Sequence, residues 1–261
     1  MMLNIVIAGY GPVGKAMESA LSRNPKITTY IDDPLLNYWV DSDLVVHGVI
    51  VAVATPADDD GDCNTDNVDA VFTKYGDKVR YLVKSTIDPV WLTDYAPTHC
   101  TFSPEFLRGS TSPDSVAEFI NGKLAIYGSA AICDSRWWHD IFEPVLVNLE
   151  RVHFVSLEQA AFSKYVLNTF LATKVAFFNE MYRIYTGLGF EDFGVMVRAI
   201  ADDPRLGHSH TQVPGPDGKY GFGGHCFPKD ISALQYLAQD HEISVPILST
   251  VIKSNKKDRK N

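Results

Sequence analysis

Short apolar runs alternate with mixed segments through the first half of the chain. Five of these runs are rich in Val, Ile and Tyr and have the length of strands: residues 3–8, 27–31, 49–54, 79–84 and 123–127. The segments between them have helix-like or loop character. Such alternation predicts an α/β fold, a doubly wound parallel sheet with helices on both faces.

The pattern becomes helical in the second half. Residues 157–187 are apolar on much of the helix circumference, which predicts a helix buried in a domain core or in a subunit interface. A second helix is predicted over 192–201. A third is predicted over 231–239, with Pro228 where the helix would start.

Two further segments complete this half. A Gly/Pro-rich loop covers 213–224, and the charged tail 253–261 is typical of a solvated helix end. We therefore predict two domains, a sheet domain over 1–155 and an all-helical dimerisation domain over 156–261.

Composition narrows the class of protein. The 261 residues include 32 acidic and 23 basic ones, a net charge of −9, which argues against a nucleic-acid-binding surface. The sequence contains no run of 18 apolar residues, so no membrane span is predicted. The N-terminus lacks the basic region of a signal peptide. The four cysteines are too irregularly spaced for a disulfide framework, so we expect a reducing cytoplasm. We predict no metal site.

A glycine motif follows the first predicted strand and opens a helical segment. Its six residues are Gly9, Tyr10, Gly11, Pro12, Val13 and Gly14. The first glycine permits a tight turn, the second lets backbone approach a pyrophosphate, and the third lets helix and strand pack closely. The helix N-terminus supplies free N–H groups and a partial positive charge. A Rossmann dinucleotide site is the hypothesis that follows.

An acidic residue ends the next strand at the expected separation. Asp32 or Asp33 would bind the ribose 2′-hydroxyl and disfavour a 2′-phosphate, so NAD is favoured over NADP. Asp32 fits better because it directly follows the apolar pair Tyr30-Ile31.

A cysteine stands in a second constellation, Gly223-Gly224-His225-Cys226-Phe227-Pro228-Lys229-Asp230. The two glycines would bring backbone close to a ligand. Cys226 lies just before a predicted helix N-terminus, where the helix dipole stabilises a thiolate. Asp230 opposes this effect, but it could orient or activate a water. A lone cysteine is more often a small buried hydrophobe, yet the glycines and the clustered Lys and Asp favour a reactive thiol.

A lysine and an asparagine share one face of the long apolar helix. Lys164 and Asn168 are four residues apart. Because buried polar groups without partners are costly, both should meet something polar. A developing oxyanion is one candidate, and a carboxylate elsewhere in the fold is an equally good one for Lys164.

Three short motifs follow predicted strands. They are Thr55-Pro56, Lys84-Ser85-Thr86 and Ser103-Pro104-Glu105-Phe106-Leu107-Arg108. In open α/β sheets, ligands bind at the carboxyl ends of the strands. Each motif alone is more typical of a turn, but together they indicate one rim.

These stretches resemble the nucleotide-sugar dehydrogenase family, which includes UDP-glucose and GDP-mannose dehydrogenases. Besides the motifs above, the resemblance includes Asn168-Thr169-Phe170-Leu171-Ala172, Asn179-Glu180 and Asp203-Pro204-Arg205-Leu206-Gly207, all in family order. It implies a four-electron oxidation of a sugar C6 alcohol to a carboxylate with two NAD⁺, most closely UDP-glucose to UDP-glucuronate, through a cysteine thiohemiacetal and thioester.

The resemblance also implies residue roles. Catalytic roles fall to Cys226, Lys164, Asn168, Asp230, Glu105 and Thr86. Cofactor contacts fall to Gly9, Tyr10, Gly11, Pro12, Val13, Gly14, Asp32, Thr55, Pro56, Thr86 and Lys229. Substrate contacts fall to Glu105, Phe106, Leu107, Arg108, Lys164, Asn168, Arg205, Gly215, Lys219 and Gly223. Because Arg205 matches an arginine that reaches substrate across a subunit boundary, a homodimer is expected.

The chain departs from the family pattern in several places. Gly109 stands where the family usually has a glutamate, and the loop between Arg205 and Gly223 is longer than usual. His225 is typical of relatives that act on N-acetylated sugars, whereas Phe227-Pro228-Lys229 is typical of those acting on UDP-glucose. The family's further nucleotide-binding domain has no counterpart in the sequence, so we expect two domains and not three.

Three alternatives remain open. The substrate could be a UDP-N-acetyl-hexosamine or GDP-mannose. The enzyme could be a β-hydroxyacid dehydrogenase of the 6-phosphogluconate type, which shares the Lys-x-x-x-Asn pair but leaves Cys226 unexplained. The chain could also be a non-enzymatic NAD-binding dimer.

Overall fold

The chain divides into two units, and the division falls inside its longest helix. The computed structural model describes residues 2–58, 60–107, 114–224 and 226–260. One unit comprises Met1–Asp58 and Cys63–Lys164, and the other comprises Asp59–Asp62 and Tyr165–Asn261.

The first unit is built on one sheet. Its strands, within the described residues, are β1 (Leu3–Ala8), β2 (Ile27–Asp32), β3 (Gly48–Val51), β4 (Arg80–Val83), β5 (Cys100–Phe102), β6 (Leu124–Ser129) and β7 (Arg151–Val155). Their order is β2-β1-β3-β4-β5-β6-β7. All neighbours are parallel except β5 and β6. The chain turns from β2 back across β1 to β3, so the topological switch point lies beside β1.

Helices cover both faces of this sheet. They are α1 (Pro12–Leu21), α2 (Asp66–Tyr75), α3 (Pro89–Tyr95), α4 (Ser115–Ile120) and α5 (Ile132–Phe142). Alternate residues of β1 point to opposite faces. Ile5 and Ile7 pack with α1, α4 and α5, whereas Val6 and Ala8 pack with α2 and α3. The predicted doubly wound α/β sheet is confirmed, with one antiparallel pair in place of a fully parallel order.

Local sequence explains where several helices begin. Asp88 accepts hydrogen bonds from the backbone N–H groups of Val90 and Trp91, and Pro89 occupies the first turn of α3. Such a cap satisfies N–H groups that have no partner within the helix. Asp114 caps α4 in the same way through Ala117.

The second unit is helical. Its helices are the part of α6 (Leu157–Gly187) that begins at Tyr165, then α7 (Phe193–Ala201), α8 (Cys226–Asp240) and α9 (Pro246–Asp258). Its core includes Ala172, Ala176, Phe222, Ile231 and Val251. The bounds of α6 match the predicted helix.

Two elements of this unit differ from expectation. Helix α8 begins at Cys226, so Pro228 lies within its first turn, where a missing backbone N–H costs little. The charged tail is not wholly solvated, because Asp258 is buried and paired with Arg183. Among the described residues, we find no helix with both the length and the apolar character that crossing a bilayer requires.

Candidate active site

The glycine loop after β1 has the shape that its sequence predicts. Gly9 has a φ of +89°, and a Cβ there would lie 2.6 Å from the carbonyl oxygen of Ala52. A Cβ at Gly14 would overlap the carbonyl oxygen of Gly9. No atom of the described residues lies within 4 Å of the Cβ position at Gly11, the residue that caps α1. The loop therefore packs tightly at its two ends and leaves open space at its middle glycine.

The two aspartates after this loop do different things. The carboxylate of Asp33 accepts from the backbone N–H of Tyr10 at 2.8 Å and from that of Leu35 at 3.0 Å. Asp33 therefore lies directly against the glycine loop and is partly exposed.

The carboxylate of Asp32 contacts α2 and not the glycine loop. It is buried, both of its carboxylate oxygens lie 2.8 Å from the Nζ of Lys74, and the hydroxyl of Tyr75 donates to it at 2.6 Å. Burial and this hydrogen bond raise the pKa of Tyr75. No sequence signal links Asp32 to α2, because the partners lie more than 40 residues away.

The three strand-end motifs lie along one edge of the sheet. The hydroxyl of Thr55, after β3, donates to the carbonyl of Thr86 at 2.6 Å, and that of Ser85 donates to the carbonyl of Val53 at 2.7 Å. Lys84, after β4, donates to the hydroxyl of Ser103, after β5, at 3.0 Å. The structure thus joins the loops after β3, β4 and β5 beside the switch point.

Lys164 lies against the Ser-Pro-Glu segment. Its Nζ donates to the backbone carbonyl of Glu105 and lies 5.7 Å from the ring centre of Phe106. The side chain of Glu105 accepts from the N–H groups of Phe106 and Leu107 with one oxygen, and the other is buried and receives no hydrogen bond from the described residues. Both side chains are buried. The polar partner that the structure gives Lys164 is therefore the backbone carbonyl of Glu105.

A second buried lysine lies nearby. Burial lowers the pKa of Lys84; the carboxylate of Glu105 opposes that shift, and the ammonium of Lys164 adds to it. The rings of Phe119 and Phe142 flank its Nζ. This part of the first unit therefore holds two lysine side chains and one glutamate side chain that are all buried from solvent.

The helical unit carries the cysteine constellation. Cys226 is exposed and is the first residue of α8, and Asp230 follows one turn later on the same helix face. Asp230 is buried, accepts from the side-chain amide of Asn168, and lies 2.8 Å from the Nζ of Lys229. The thiol of Cys226 therefore lies one helical turn before the Asp230 carboxylate, which contacts the amide of Asn168 and the ammonium group of Lys229.

The loop expected to bind substrate contains a tight turn at residues 215–219. The N–H of Gly215 donates to the carbonyl of Lys219 at 2.8 Å, and that of Gly218 donates back to Gly215 at 2.9 Å. Arg205 is 90% exposed and is paired with Asp203 at 2.6 Å. Arg108 and Gly109, as well as His225, lie outside the described residues.

The structure shows contacts that sequence reasoning missed. Asn179, Asn255 and Arg259 bind the backbone of the Gly-rich loop from 33 to 42 residues away in sequence. Only proximity in the folded chain reveals them. The described residues contain no group of three or more His, Cys, Asp or Glu side chains that could hold a metal ion.

The sequence of this chain is similar to that of known dehydrogenases. Residues 158–257 match the central domain of the UDP-glucose/GDP-mannose dehydrogenase family. The chain is 32% identical over 232 residues to UDP-glucose 6-dehydrogenase of Pseudomonas aeruginosa, covering 81% of this chain and 49% of that protein. The chain thus spans about half the length of the curated relatives it matches.

Solved structures agree on the fold. A UDP-glucose dehydrogenase from Pyrobaculum islandicum superposes with a TM-score of 0.82 at 20% identity, over 98% of this chain and 68% of that one. The 3-hydroxyisobutyrate dehydrogenase of Mycobacterium tuberculosis superposes with a TM-score of 0.71 at 17% identity, over 98% of this chain and 94% of that one. At these identities the likeness concerns the fold alone.

The sheet with its glycine loop, followed by helices that carry a lysine, an asparagine and a cysteine, has the fold of the solved dehydrogenases. The helices over residues 158–257 match the central domain of the UDP-glucose/GDP-mannose dehydrogenase family. Within that family, most of its length resembles the UDP-glucose 6-dehydrogenases.

Proposed function

We propose that this chain catalyses the NAD-dependent, four-electron oxidation of a nucleotide-sugar C6 alcohol to a carboxylate, with UDP-glucose as substrate and UDP-glucuronate as product. One observation carries the proposal. The segment matched by the family's central domain contains an exposed cysteine at a helix N-terminus, one turn before a buried aspartate that Asn168 and Lys229 hold. A dehydrogenase that performs only one oxidation has no use for this thiol.

The residues of the first unit fit NAD. Gly11 leaves open space in front of the N-terminus of α1, where a pyrophosphate would meet free N–H groups. We assign the adenosine ribose to Asp33, which lies beside the glycine loop, and not to Asp32, whose carboxylate Lys74 and Tyr75 occupy. Thr55, Pro56 and Thr86, with Lys229 of the helical unit, are the further expected contacts. When bound, NAD⁺ supplies the hydride acceptor for each of the two oxidations.

The thiol of Cys226 performs the covalent step. Its sulfur adds to the aldehyde carbon formed by the first oxidation, and the carbonyl oxygen becomes the hydroxyl of a thiohemiacetal. Loss of a hydride and a proton in the second oxidation converts this adduct into a thioester. Water then cleaves the carbon–sulfur bond, which releases the carboxylate and returns the thiol. The sum is one alcohol, two NAD⁺ and one water converted to one carboxylate, two NADH and three protons.

Polar side chains stabilise charge and move protons in these steps. We assign stabilisation of the developing oxyanions to Lys164 and Asn168. Proton transfer falls to Glu105 and Thr86, and orientation of the hydrolytic water falls to Asp230. Buried positions favour this role for Lys164 and Asn168, because charge–charge and hydrogen-bond interactions are stronger away from bulk water.

Substrate binding would use the segment 105–108 and the loop 215–223. Gly215, Lys219 and Gly223 offer backbone and one cation to the sugar nucleotide. Arg205 is exposed and held in place by Asp203, so it is available to a neighbouring subunit.

An exposed apolar stripe supports a homodimer. Val166, Phe170, Phe177, Ile184 and Leu188 are all at least half exposed. Val166, Phe170, Phe177 and Ile184 lie on α6 and, at 3.6 residues per turn, fall within an arc of roughly 40°; Leu188 follows directly after the helix. A stripe of large apolar side chains on a single helix is typical of a surface that a second copy covers. A reducing, cytoplasmic setting is in keeping with four cysteines that form no disulfide within the described residues, two of them exposed.

Three alternatives are kept. A UDP-N-acetyl-hexosamine or GDP-mannose could replace UDP-glucose. A single-oxidation β-hydroxyacid dehydrogenase shares the fold, as the 3-hydroxyisobutyrate dehydrogenase superposition illustrates. A chain that binds NAD without turnover is the third.

Substitution of the two exposed cysteines separates these functions. We expect Cys226→Ser to form no UDP-glucuronate and at most one NADH per UDP-glucose, because the serine hydroxyl is a far weaker nucleophile than a thiolate. Cys133→Ser is the matched control and should keep the parental stoichiometry. Equal activity in both variants would support a single-oxidation enzyme, and no NADH from the parental chain would support a binding protein.

A further inference from the structure

The loop that leads to Cys226 is held by two side chains, one on α9 and one directly after it. The N–H of Phe222 donates to the side-chain oxygen of Asn255 at 2.7 Å, and the carbonyl of Phe222 accepts from the amide nitrogen of Asn255 at 3.0 Å. One asparagine therefore binds both polar groups of a single residue, as a neighbouring strand would. The Nε of Arg259 donates to the same carbonyl at 2.9 Å.

The opposite side of the loop is bound by α6. The N–H of Gly221 donates to the side-chain oxygen of Asn179 at 2.9 Å, and Asn179 is buried. Two consecutive residues thus have their backbone N–H groups satisfied by two different helices. This arrangement leaves the loop little freedom to move along either helix.

Two glycines of the loop are explained by this packing. A Cβ at Gly221 would overlap the side-chain oxygen of Asn255, and a Cβ at Gly223 would overlap the guanidinium of Arg259. The space in front of Gly224 is open. The sequence suggested that the paired glycines bring backbone close to a ligand. In the structure, Gly223 instead makes room for a side chain of the protein itself.

Arg259 also binds the earlier turn of the same loop. Its Nη1 lies 2.7 Å from the carboxylate of Asp217, and this hydrogen bond is the main cause of the lowered pKa of Asp217. Asp217 in turn accepts from the N–H of Lys219 at 3.1 Å. A single guanidinium therefore joins the turn at 215–219 to the backbone four residues before Cys226.

We propose that Asn255 and Arg259 are positioning residues that preset the substrate loop and the reactive thiol before substrate binds. The inference rests on the proposed function for its kinetic consequence, but the geometry of the loop does not depend on turnover. Neither side chain is expected to touch substrate. Loss of either should let the loop relax, and a displacement of about 1 Å can cost roughly 100-fold in rate.

The test uses the full chain with Cys133→Ser as background, so that Cys226 is the only exposed thiol among the four. We would compare Asn255→Ala, Asn255→Asp and Arg259→Ala with the control Lys256→Ala, an exposed neighbour on the same helix. The measurements are the rate of Cys226 alkylation by iodoacetamide with and without UDP-glucose, hydrogen exchange of the Phe222 amide, kcat/KM, and the Kd for NAD⁺.

We expect the alanine variants to lose exchange protection at Phe222 and to lose protection of the thiol by UDP-glucose. Their kcat/KM should fall by roughly 10- to 100-fold with an unchanged Kd for NAD⁺. Asn255→Asp keeps the acceptor for the Phe222 N–H and should give a smaller loss, which guards against a general folding defect. Parental alkylation, exchange and kcat/KM in all three variants would overturn the inference. Absence of turnover with altered alkylation and exchange would refute the proposed activity and leave the positioning role standing.

Discussion

Adjacent aspartates at the end of β2 offer a sharp test of the cofactor site. Asp33 accepts from the glycine loop, whereas Asp32 is buried against Lys74 and Tyr75. The substitutions Asp33→Asn and Asp32→Asn make the same chemical change, a carboxylate to an amide, at two adjacent residues. We expect the first to alter cofactor binding and the second to alter stability.

The magnitudes follow from these contacts. A hydrogen bond to a charged group contributes about 1.5–3 kcal/mol, so loss of a ribose contact at Asp33 should weaken NAD⁺ binding by roughly 10- to 150-fold. Removal of the negative charge should also strengthen NADP⁺ binding, because the 2′-phosphate is no longer repelled. For Asp32, the Lys74 side chain is 41% exposed, which reduces the value of the ion pair. A loss of about 1–2 kcal/mol is expected, which lowers Tm by roughly 2–8 °C.

Calorimetric titration of NAD⁺ and NADP⁺ at one fixed ionic strength, with thermal denaturation of each variant, measures both effects. Each variant is the control for the other. The assignment of the ribose to Asp33 is wrong if Asp32→Asn weakens NAD⁺ binding tenfold or more while Asp33→Asn leaves it within twofold of the parental value. That result would return the ribose contact to Asp32.

Three further predictions use other parts of the structure. Gly11→Ala should weaken NAD⁺ binding and leave Tm unchanged, because its Cβ would occupy open space within the protein. Gly14→Ala should also destabilise the fold, by about 1–3 kcal/mol. A parental Kd for NAD⁺ in Gly11→Ala would contradict the role of Gly11 in cofactor binding. Lys84→Met should stabilise the chain at neutral pH. Burial lowers the folded-state pKa of Lys84, so the unfolded chain binds more protons between that pKa and the ordinary lysine value, and parental stability rises with pH across this window. Urea midpoints should therefore show the advantage of Lys84→Met shrinking as pH rises, and an advantage that grows would be evidence against this linkage. Phe170→Glu on the exposed stripe should give monomers in sedimentation velocity, and an unaltered mass would reject the proposed interface.

Periodic features were predictable from the sequence. Strand β1 and helix α6 match their predicted ranges because each is long enough for its pattern to repeat. The switch from strand-like to helical pattern also predicted the order of the two units. Strand β5 escaped separate prediction because it has only three residues, and β7 because its residues are largely half-exposed.

Side-chain partners were mostly out of reach. The sequence placed Gly9–Gly14, Lys164, Asn168, Cys226 and Asp230 on suitable elements, because each depends on spacing of a few residues. It favoured Asp32 over Asp33, because the contacts of Asp32 with Lys74 and Tyr75 are made far along the chain and leave no signal near β2. It likewise assigned the tail to solvent, whereas Asn255 and Arg259 bind Phe222. Contacts of this kind are set by tertiary packing, and local propensity carries no trace of them.

We propose that this chain carries out both oxidations of one sugar through Cys226. The most direct measurement incubates the purified chain with a limiting amount of UDP-glucose and excess NAD⁺, then counts NADH and identifies the product. We expect two NADH for each UDP-glucose consumed, with UDP-glucuronate as the product. One NADH per sugar with an aldehyde or ketone product, or no NADH from a chain that still binds NAD⁺, would contradict it.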